Sequence, residues 1–158
     1  MKIAIVSDTH RFSKYICKCA EYIEDCDVLI HLGDNTDDIQ ELTKNFYGEV
    51  YAVKGNCDYE DKYPNEQLLY LAGKKIFITH GHKYGVKMSM TNIYYKGKEV
   101  EADIVLFGHT HIHYLEEVDG IIFMNPGSIS LPRSSGRYIG FIEIEEGSKP
   151  DVYLEKLN

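Results

Sequence analysis

Five apolar runs of this sequence each close on one or two side chains able to ligate a metal. KIAIVS leads to Asp8 and His10, and DVLIHLG to Asp34. EVYAVKG leads to Asn56 and Asp58, KIFIT to His80 and His82, and VLFG to His109 and His111. Polar groups placed just past a buried run are costly unless they find partners. Carboxylate, amide oxygen and imidazole together suit borderline or fairly hard divalent metals: Mn, Fe, Zn, Co or Ni. The four cysteines, Cys17, Cys19, Cys26 and Cys57, form no CxxC pair, which argues against a structural zinc. Asp8, His10, Asp34, Asn56, His80, His109 and His111 are too many for one tetrahedral ion. Two ions sharing a carboxylate is the economical reading. Such a pair, about 3.5–4 Å apart, clamps the attacking and leaving oxygens of an in-line phosphoryl displacement and makes hydroxide available near neutral pH.

The elements that position these groups follow from hydrophobic patterning. KIAIV (2–6) reads as a buried strand, residues 12–25 as a helix with Ile16, Ala20 and Ile23 on one face, and DVLIHLGD (27–34) as a second buried strand. Residues 36–46 read as a helix, with Thr36 as a cap and Ile39, Leu42 and Phe46 on one face, and residues 49–58 as a third strand. This alternation implies right-handed βαβ units and a largely parallel sheet. In such sheets ligands bind outside the carboxyl ends of the strands, where the polar clusters lie. The second half reads as a hairpin turning at Gly73-Lys74, a helix over 84–98, a buried strand DIVLFGH, a hairpin through Asp119-Gly120 and a final hairpin after Arg137. That is too many strands for one open sheet, so two face-to-face sheets with helices outside are expected.

The chain has 158 residues, 44% hydrophobic and 27% charged, which suits one domain over residues 1–158. We find no repeat, low-complexity segment or linker. No stretch approaches the roughly 20 apolar residues of a membrane span, and no membrane association is expected. The N-terminus carries one Lys and then only four apolar residues, so it reads as a strand of a cytoplasmic protein rather than a signal peptide. A net charge of −8 argues against stable binding to a nucleic-acid backbone. It does not exclude a phosphate substrate, because a bound metal reverses the local potential.

The ordered set DTH, GDN, GNCD, THGH and GHTH resembles the calcineurin-like metallophosphoesterase superfamily, and more narrowly its small single-domain phosphodiesterase branch. NPGSISLPR (125–133) is also similar to that branch, so the likeness covers nearly the whole chain. The resemblance implies a four-layer αββα sandwich of two mixed sheets. It implies that Asp8, His10 and His111 hold a first metal, that Asp34 bridges, and that Asn56, His80 and His109 hold a second. A bridging hydroxide would attack phosphorus in a small phosphodiester. Two divalent ions per chain are expected, Mn first, with Ni, Fe, Zn or Co as alternatives. Many relatives carry GNH where this chain has GNCD, and that histidine contacts the phosphate or protonates the leaving group. Cys57 stands in its place, and a thiol is a weak donor. Good leaving groups are therefore expected to be favoured.

Several residues carry two readings. Asp58 either orients a ligand or caps a turn. His82 is either a partner of a ligand or a contact to substrate, and it is also an alternative proton donor. Arg133 either neutralises substrate phosphate or pairs at the surface. His31 reads as structural, His113 as a surface or supporting residue, and Cys17, Cys19 and Cys26 as packing thiols around the first helix. The acidic YIEDCD reads as a solvated helix end. Little chain remains beyond His111, so an open site without a large cap is expected, and a homo-oligomer is compatible with the sequence. A non-catalytic scaffold is the alternative class, since the same small fold resembles a subunit of a membrane-trafficking coat. A scaffold has no need of seven converging polar groups. A nucleotide-binding Rossmann domain is excluded, because SDTHRF is no GxGxxG turn.

Overall fold

A computed structural model describes residues 1–158. The first sheet takes its core from β1 (Lys2–Val6), β2 (Val28–His31) and β3 (Glu49–Ala52), all parallel. The crossover helix α1 (Ser13–Ile23) links β1 to β2, and the short α2 (Ile39–Leu42) links β2 to β3. Two antiparallel strands, β9 (Tyr138–Glu143) and β10 (Asp151–Lys156), complete the order β10-β9-β1-β2-β3. The second sheet has the order β4-β5-β6-β8-β7, from β4 (Glu66–Leu71), β5 (Lys74–Thr79), β6 (Ile104–Leu106), β7 (Tyr114–Val118) and β8 (Ile121–Asn125). Here β5, β6 and β8 are parallel, and α3 (Thr91–Glu99) crosses between β5 and β6.

Three apolar layers bind these elements, and each follows from the period-2 direction of strand side chains. Ile3, Ile5, Val28 and Ile30 face Ile76, Ile78, Ile104 and Leu106 between the sheets. Ala4, Val6 and Leu29, on the opposite faces, pack against Ile16, Cys19 and Ile23 of α1. Phe77, Val105 and Phe123 pack against Ile93 of α3. Strands covered on both faces read as continuous apolar runs, and each fully buried large aliphatic contributes roughly 1.5–3 kcal/mol. The result is the four-layer αββα sandwich. No helix is long and apolar enough to cross a membrane.

Five local expectations need correction. The helix expected over 36–46 is a 3-10 turn, Thr36–Asp38, followed by α2, which stops at Leu42. Thr36 makes no side-chain cap; its N–H and hydroxyl donate to Asp58 instead. The helix expected over 84–98 begins only at Thr91, because Gly85 takes φ +63° and the chain turns there. The first hairpin turns through Ala72-Gly73, one residue early, with both at positive φ as a two-residue type I′ turn requires. Cys17 is exposed on α1 and bonded to Glu41, so only Cys19 and Cys26 are packing thiols.

Candidate metal centre

Each parallel strand ends in a tight loop, and these loops meet at one end of the sandwich. Asp8 and His10 leave β1, Asp34 leaves β2, Asn56 leaves β3, His80 leaves β5, and His109 and His111 leave β6. Asp8, His10, Asp34, His109 and His111 all sit at positive φ, at 55°, 47°, 64°, 69° and 59°. Left-handed backbone is uncommon for residues other than glycine and gathers where a fold forces side chains onto one point. Gly33 (φ +96°) makes the approach possible: a Cβ there would stand 2.7 Å from the Gly55 nitrogen and 2.9 Å from His80 Nδ1. A Cβ at Gly108 would strike the Ser7 hydroxyl and lie 2.8 Å from Asp8 Oδ2.

Two ligand groups result, and they share one residue. Asp8, His10, Asp34 and His111 present ligand atoms within 4.8 Å of one another, and so do Asp34, His80 and His109. His111 Nε2 is 3.1 Å from Asp8 Oδ1, and His10 Nε2 is 3.9 Å from Asp34 Oδ2. His80 Nε2 is 3.4 Å from Asp34 Oδ1 and 3.1 Å from Asn56 Oδ1. Thus Asn56 stands with the second group, and Asp34 turns one oxygen to each side.

The donor chemistry fits a cation. His80 Nδ1 is 2.6 Å from the Leu32 carbonyl, and His111 Nδ1 is 2.8 Å from the Leu131 carbonyl. A carbonyl only accepts, so each Nδ1 carries a hydrogen, and in the neutral ring that binds a metal each Nε2 turns a lone pair inward. His10 Nε2 lies only 3.2 Å from His111 Nε2. Asp8 Oδ1 is buried without a hydrogen-bond donor. The centre is therefore lined by acceptors, an arrangement that a cation between them satisfies. Where no cation sits, protons on these rings take its part: burial alone would raise the Asp8 carboxyl, but a hydrogen bond from a protonated His111 and the charge of a protonated His80 hold it below its ordinary value. For Asp34, burial is likewise outweighed by the His80 hydrogen bond and by the Cys57 N–H at 2.8 Å. Burial, then the His80 ring and the Lys87 ammonium, hold His109 down to about 4, so this imidazole is neutral.

The neighbouring residues sort themselves. Asp58 accepts from the Asp34 and Gly55 N–H groups through Oδ2 and from Thr36 through Oδ1, so it both closes the turn and holds the Asp34 loop. The Cys57 thiol receives the Asn56 amide at 3.6 Å, and burial, then Asp34, push it up to about 11. The His82 ring centroid lies 5.4 Å from that of His80 and 5.9 Å from that of His109; its Nδ1 is buried without a partner. Arg133 is exposed, with its N–H on the His111 carbonyl. His31 is fully buried; its Nδ1 accepts the Gly33 N–H and its Nε2 lies 3.3 Å from the Thr9 hydroxyl, as the structural reading expects. His113 lies apart, bonded to Ser134 and tilted over Tyr138.

Residue type gave no warning of the supporting framework. Ser7 donates to Asp8 Oδ2, Ser128 to the Asp8 carbonyl and Ser130 to the Thr9 carbonyl. Asn125 bonds the Gly108 carbonyl and the Thr110 hydroxyl, and Asp38 accepts the Arg11 N–H. The one available signal was NPGSIS, where Asn, Gly and alternating serines follow an apolar strand.

The calcineurin-like phosphoesterase superfamily domain matches residues 1–147. The probable metallophosphoesterase YsnB of Bacillus subtilis is 41% identical over 136 residues, 84% of this chain and 78% of that protein. The phosphodiesterase MJ0936 of Methanocaldococcus jannaschii is 32% identical over 174 aligned residues, 98% of this chain and all of that protein. The crystal structure of a Vps29 variant from Entamoeba histolytica aligns over the whole of both chains with a TM-score of 0.78 at 18% identity, a likeness of fold.

Proposed function

The chain belongs to the calcineurin-like phosphoesterase superfamily, in its small phosphodiesterase branch, and from this premise we propose that it is a phosphodiesterase working with two divalent metal ions. Asp8, His10 and His111 would hold one ion and Asn56, His80 and His109 the other, with Asp34 between them. The observation that carries the reading is the Asp34 carboxylate, shared by both ligand groups. When bound, such ions supply Lewis acidity toward phosphoryl oxygen and lower the pKa of water enough for attack near neutral pH. The chain's own residues do the rest. Leu32 and Leu131 fix the tautomers of His80 and His111. Asp58 and the Cys57 N–H orient Asp34. His82 and Arg133 stand where a substrate would reach them. Manganese is the ion we put first, and Ni, Fe, Zn and Co suit the same donors. The reading further places a small phosphodiester substrate and a cytoplasmic setting with one domain.

The test is metal stripping by chelation, metal analysis, and turnover of bis(p-nitrophenyl) phosphate and p-nitrophenyl phosphate before and after adding each divalent ion. We expect no turnover in the stripped protein, recovery with two ions per chain, and the diester preferred. Undiminished turnover by a verified metal-free preparation would sink the proposal.

The Vps29 likeness favours a second reading, a protein-binding scaffold. The complete donor set weighs against it, since a surface for protein contact has no use for lone pairs turned on one another. Absence of two-ion binding together with absence of turnover would favour the scaffold.

A further inference from the structure

Two hollows flank the candidate metal centre, and they differ in chemistry. One, about 200 Å³, adjoins Cys57 and Asp58 and is lined by Arg11, Asn35, Asp37 and Lys62. The other, about 360 Å³, adjoins Thr110, the residue between His109 and His111. Its wall is Val86, Met90, Phe107, Ile112 and Tyr114, and two cations, Lys87 and Arg133, stand at it. Both cations are exposed, so they form the rim rather than the floor. Arg133 is tied to the centre by its N–H bond to the His111 carbonyl at 2.9 Å. In a chain of net charge −8, two cations beside an apolar hollow and a phosphoryl-type centre mark a place for an anion with an apolar body.

Resting on the phosphodiesterase reading, we propose that the hollow beside Thr110 is the subsite for the retained arm of the substrate: a phosphodiester whose non-leaving ester is aromatic. Its ring lies against Met90, Ile112 and Tyr114, and Lys87 and Arg133 face the phosphoryl oxygens. The leaving arm belongs in the other hollow. A departing oxygen needs a proton donor, and the hollow at Cys57 is the more polar of the two: it carries the thiol, the Asn35 amide, Arg11 and Lys62 beside the carboxylates of Asp37, Asp58 and Glu60, whereas the hollow beside Thr110 is mostly apolar and its two cations face the phosphoryl oxygens. Hydrolysis consumes one water, whose oxygen forms the new P–O bond. The P–O bond to the leaving arm breaks, that arm departs as an alcohol or phenol after taking a proton, and the retained arm leaves as an aryl phosphate monoester.

Two diesters with the same leaving group separate the arms: bis(p-nitrophenyl) phosphate and methyl p-nitrophenyl phosphate, assayed on the metal-loaded protein. We expect kcat/KM for the bis-aryl diester to exceed that for the methyl diester by roughly tenfold or more, the scale of discrimination by an apolar pocket. Ile112, 47% exposed, tolerates change. Ile112→Asn, which adds no charge beside Lys87 and Arg133, should remove most of that preference through KM of the bis-aryl diester, leaving the methyl diester near its original rate. Met90→Ala, in the same hollow, should do the same more weakly. Arg133→Ala should weaken both diesters alike. Equal kcat/KM for the two diesters in the unaltered protein would overturn the subsite, as would equal losses on both in Ile112→Asn, which would put the leaving arm there instead. If metal-loaded protein turns over neither diester, the phosphodiesterase reading fails and the subsite falls with it. Turnover without an aryl preference sinks the subsite alone.

Discussion

Asp58→Asn changes one oxygen of a half-buried side chain to an amide, and the consequences follow from four hydrogen bonds. Oδ2 accepts the Asp34 and Gly55 N–H groups, both at 2.8 Å, while Oδ1 accepts the Thr36 N–H at 2.8 Å and the Thr36 hydroxyl at 3.2 Å. An amide keeps one acceptor oxygen and turns a donor to the other pair. Whichever way it sits, two donors lose their partner and face another donor. Hydrogen bonds to a charged group contribute roughly 1.5–3 kcal/mol each. Water reaches part of this site, so the low end applies, and the substitution should cost about 3 kcal/mol. Asp34, held at φ +64°, then loses its anchor in one of the two amide orientations and the adjoining Thr36 turn in the other. Metal affinity should fall about 10–100-fold, as it does when a ligand's supporting partner is removed.

Urea unfolding in the presence of chelator measures the first effect, and calorimetric metal titration of folded protein the second. A variant within about 0.5 kcal/mol of the parent, binding metal as tightly, would refute the reasoning. A loss of stability with unchanged metal affinity would make Asp58 a turn residue and no more.

Asp34→Ala should abolish binding of both ions, whereas His111→Ala should weaken mainly one; two ions bound to Asp34→Ala with unchanged affinity would remove the bridging assignment. Cys57 should act through Asn56 as well as through the leaving group, so Cys57→Ala should keep aryl diester turnover within about tenfold, while Cys57→His should narrow the gap between aryl and alkyl diesters by up to roughly 10²–10⁴-fold. Rates across diesters of graded leaving-group pKa would test this, and a flat dependence lost in His82→Ala but kept in Cys57→Ala would make His82 the acid. His31 supplies a pH dependence of stability. Burial holds its pKa down to about 4 against an ordinary 6.5, and its Nδ1 already accepts the Gly33 N–H. The unfolded chain therefore takes up a proton that the folded chain refuses. This contribution is whole above about pH 6.5 and falls by up to roughly 3 kcal/mol as pH drops toward 4. His31→Asn should flatten that slope in urea midpoints measured from pH 7 to 4, and an unchanged slope would count against the assignment.

Strand positions were legible because β1, β2, β5, β6 and β8 are apolar on both faces, and that pattern survives in the sequence as unbroken runs. The two-sheet arrangement followed from their number. Short helices were the least legible. Residues 36–46 carry helical spacing, yet the demand of Thr36 for Asp58 and the stop at Leu42 are tertiary effects that local propensity does not contain. At Gly85 the chain turns because a left-handed residue is required there, and a glycine inside a helical pattern gives only a weak hint of it. The site was legible as a set of residue types at strand ends. Which atoms face which was not, because that depends on five ligand-type residues in left-handed backbone and on carbonyls of Leu32 and Leu131 that any residue could supply.

The same geometry explains why so much polar framework surrounds the centre. A loop with a left-handed Asp or His costs about 1–3 kcal/mol per residue unless its surroundings determine it. Two clasps do so from opposite sides. Asp58 gathers the Asp34, Thr36 and Gly55 nitrogens, closing the β2 and β3 loops on each other. Asn125, at the end of β8, and Ser128 and Ser130, just past it, gather the Asp8, Thr9 and Gly108 carbonyls, closing the β1 and β6 loops. One clasp accepts and the other donates, so the two halves of the ligand set are held by groups of opposite polarity that do not compete with the inward-facing lone pairs. Between the clasps the loops touch at glycines, Gly33 against Gly55 and Gly108 against Ser7, where any side chain would push them apart, and the Asp8 N–H donates to the Gly33 carbonyl. The candidate centre is thus a product of loop closure more than of strand placement: the strands bring the loops to one end of the sandwich, and the clasps turn their side chains onto a common point.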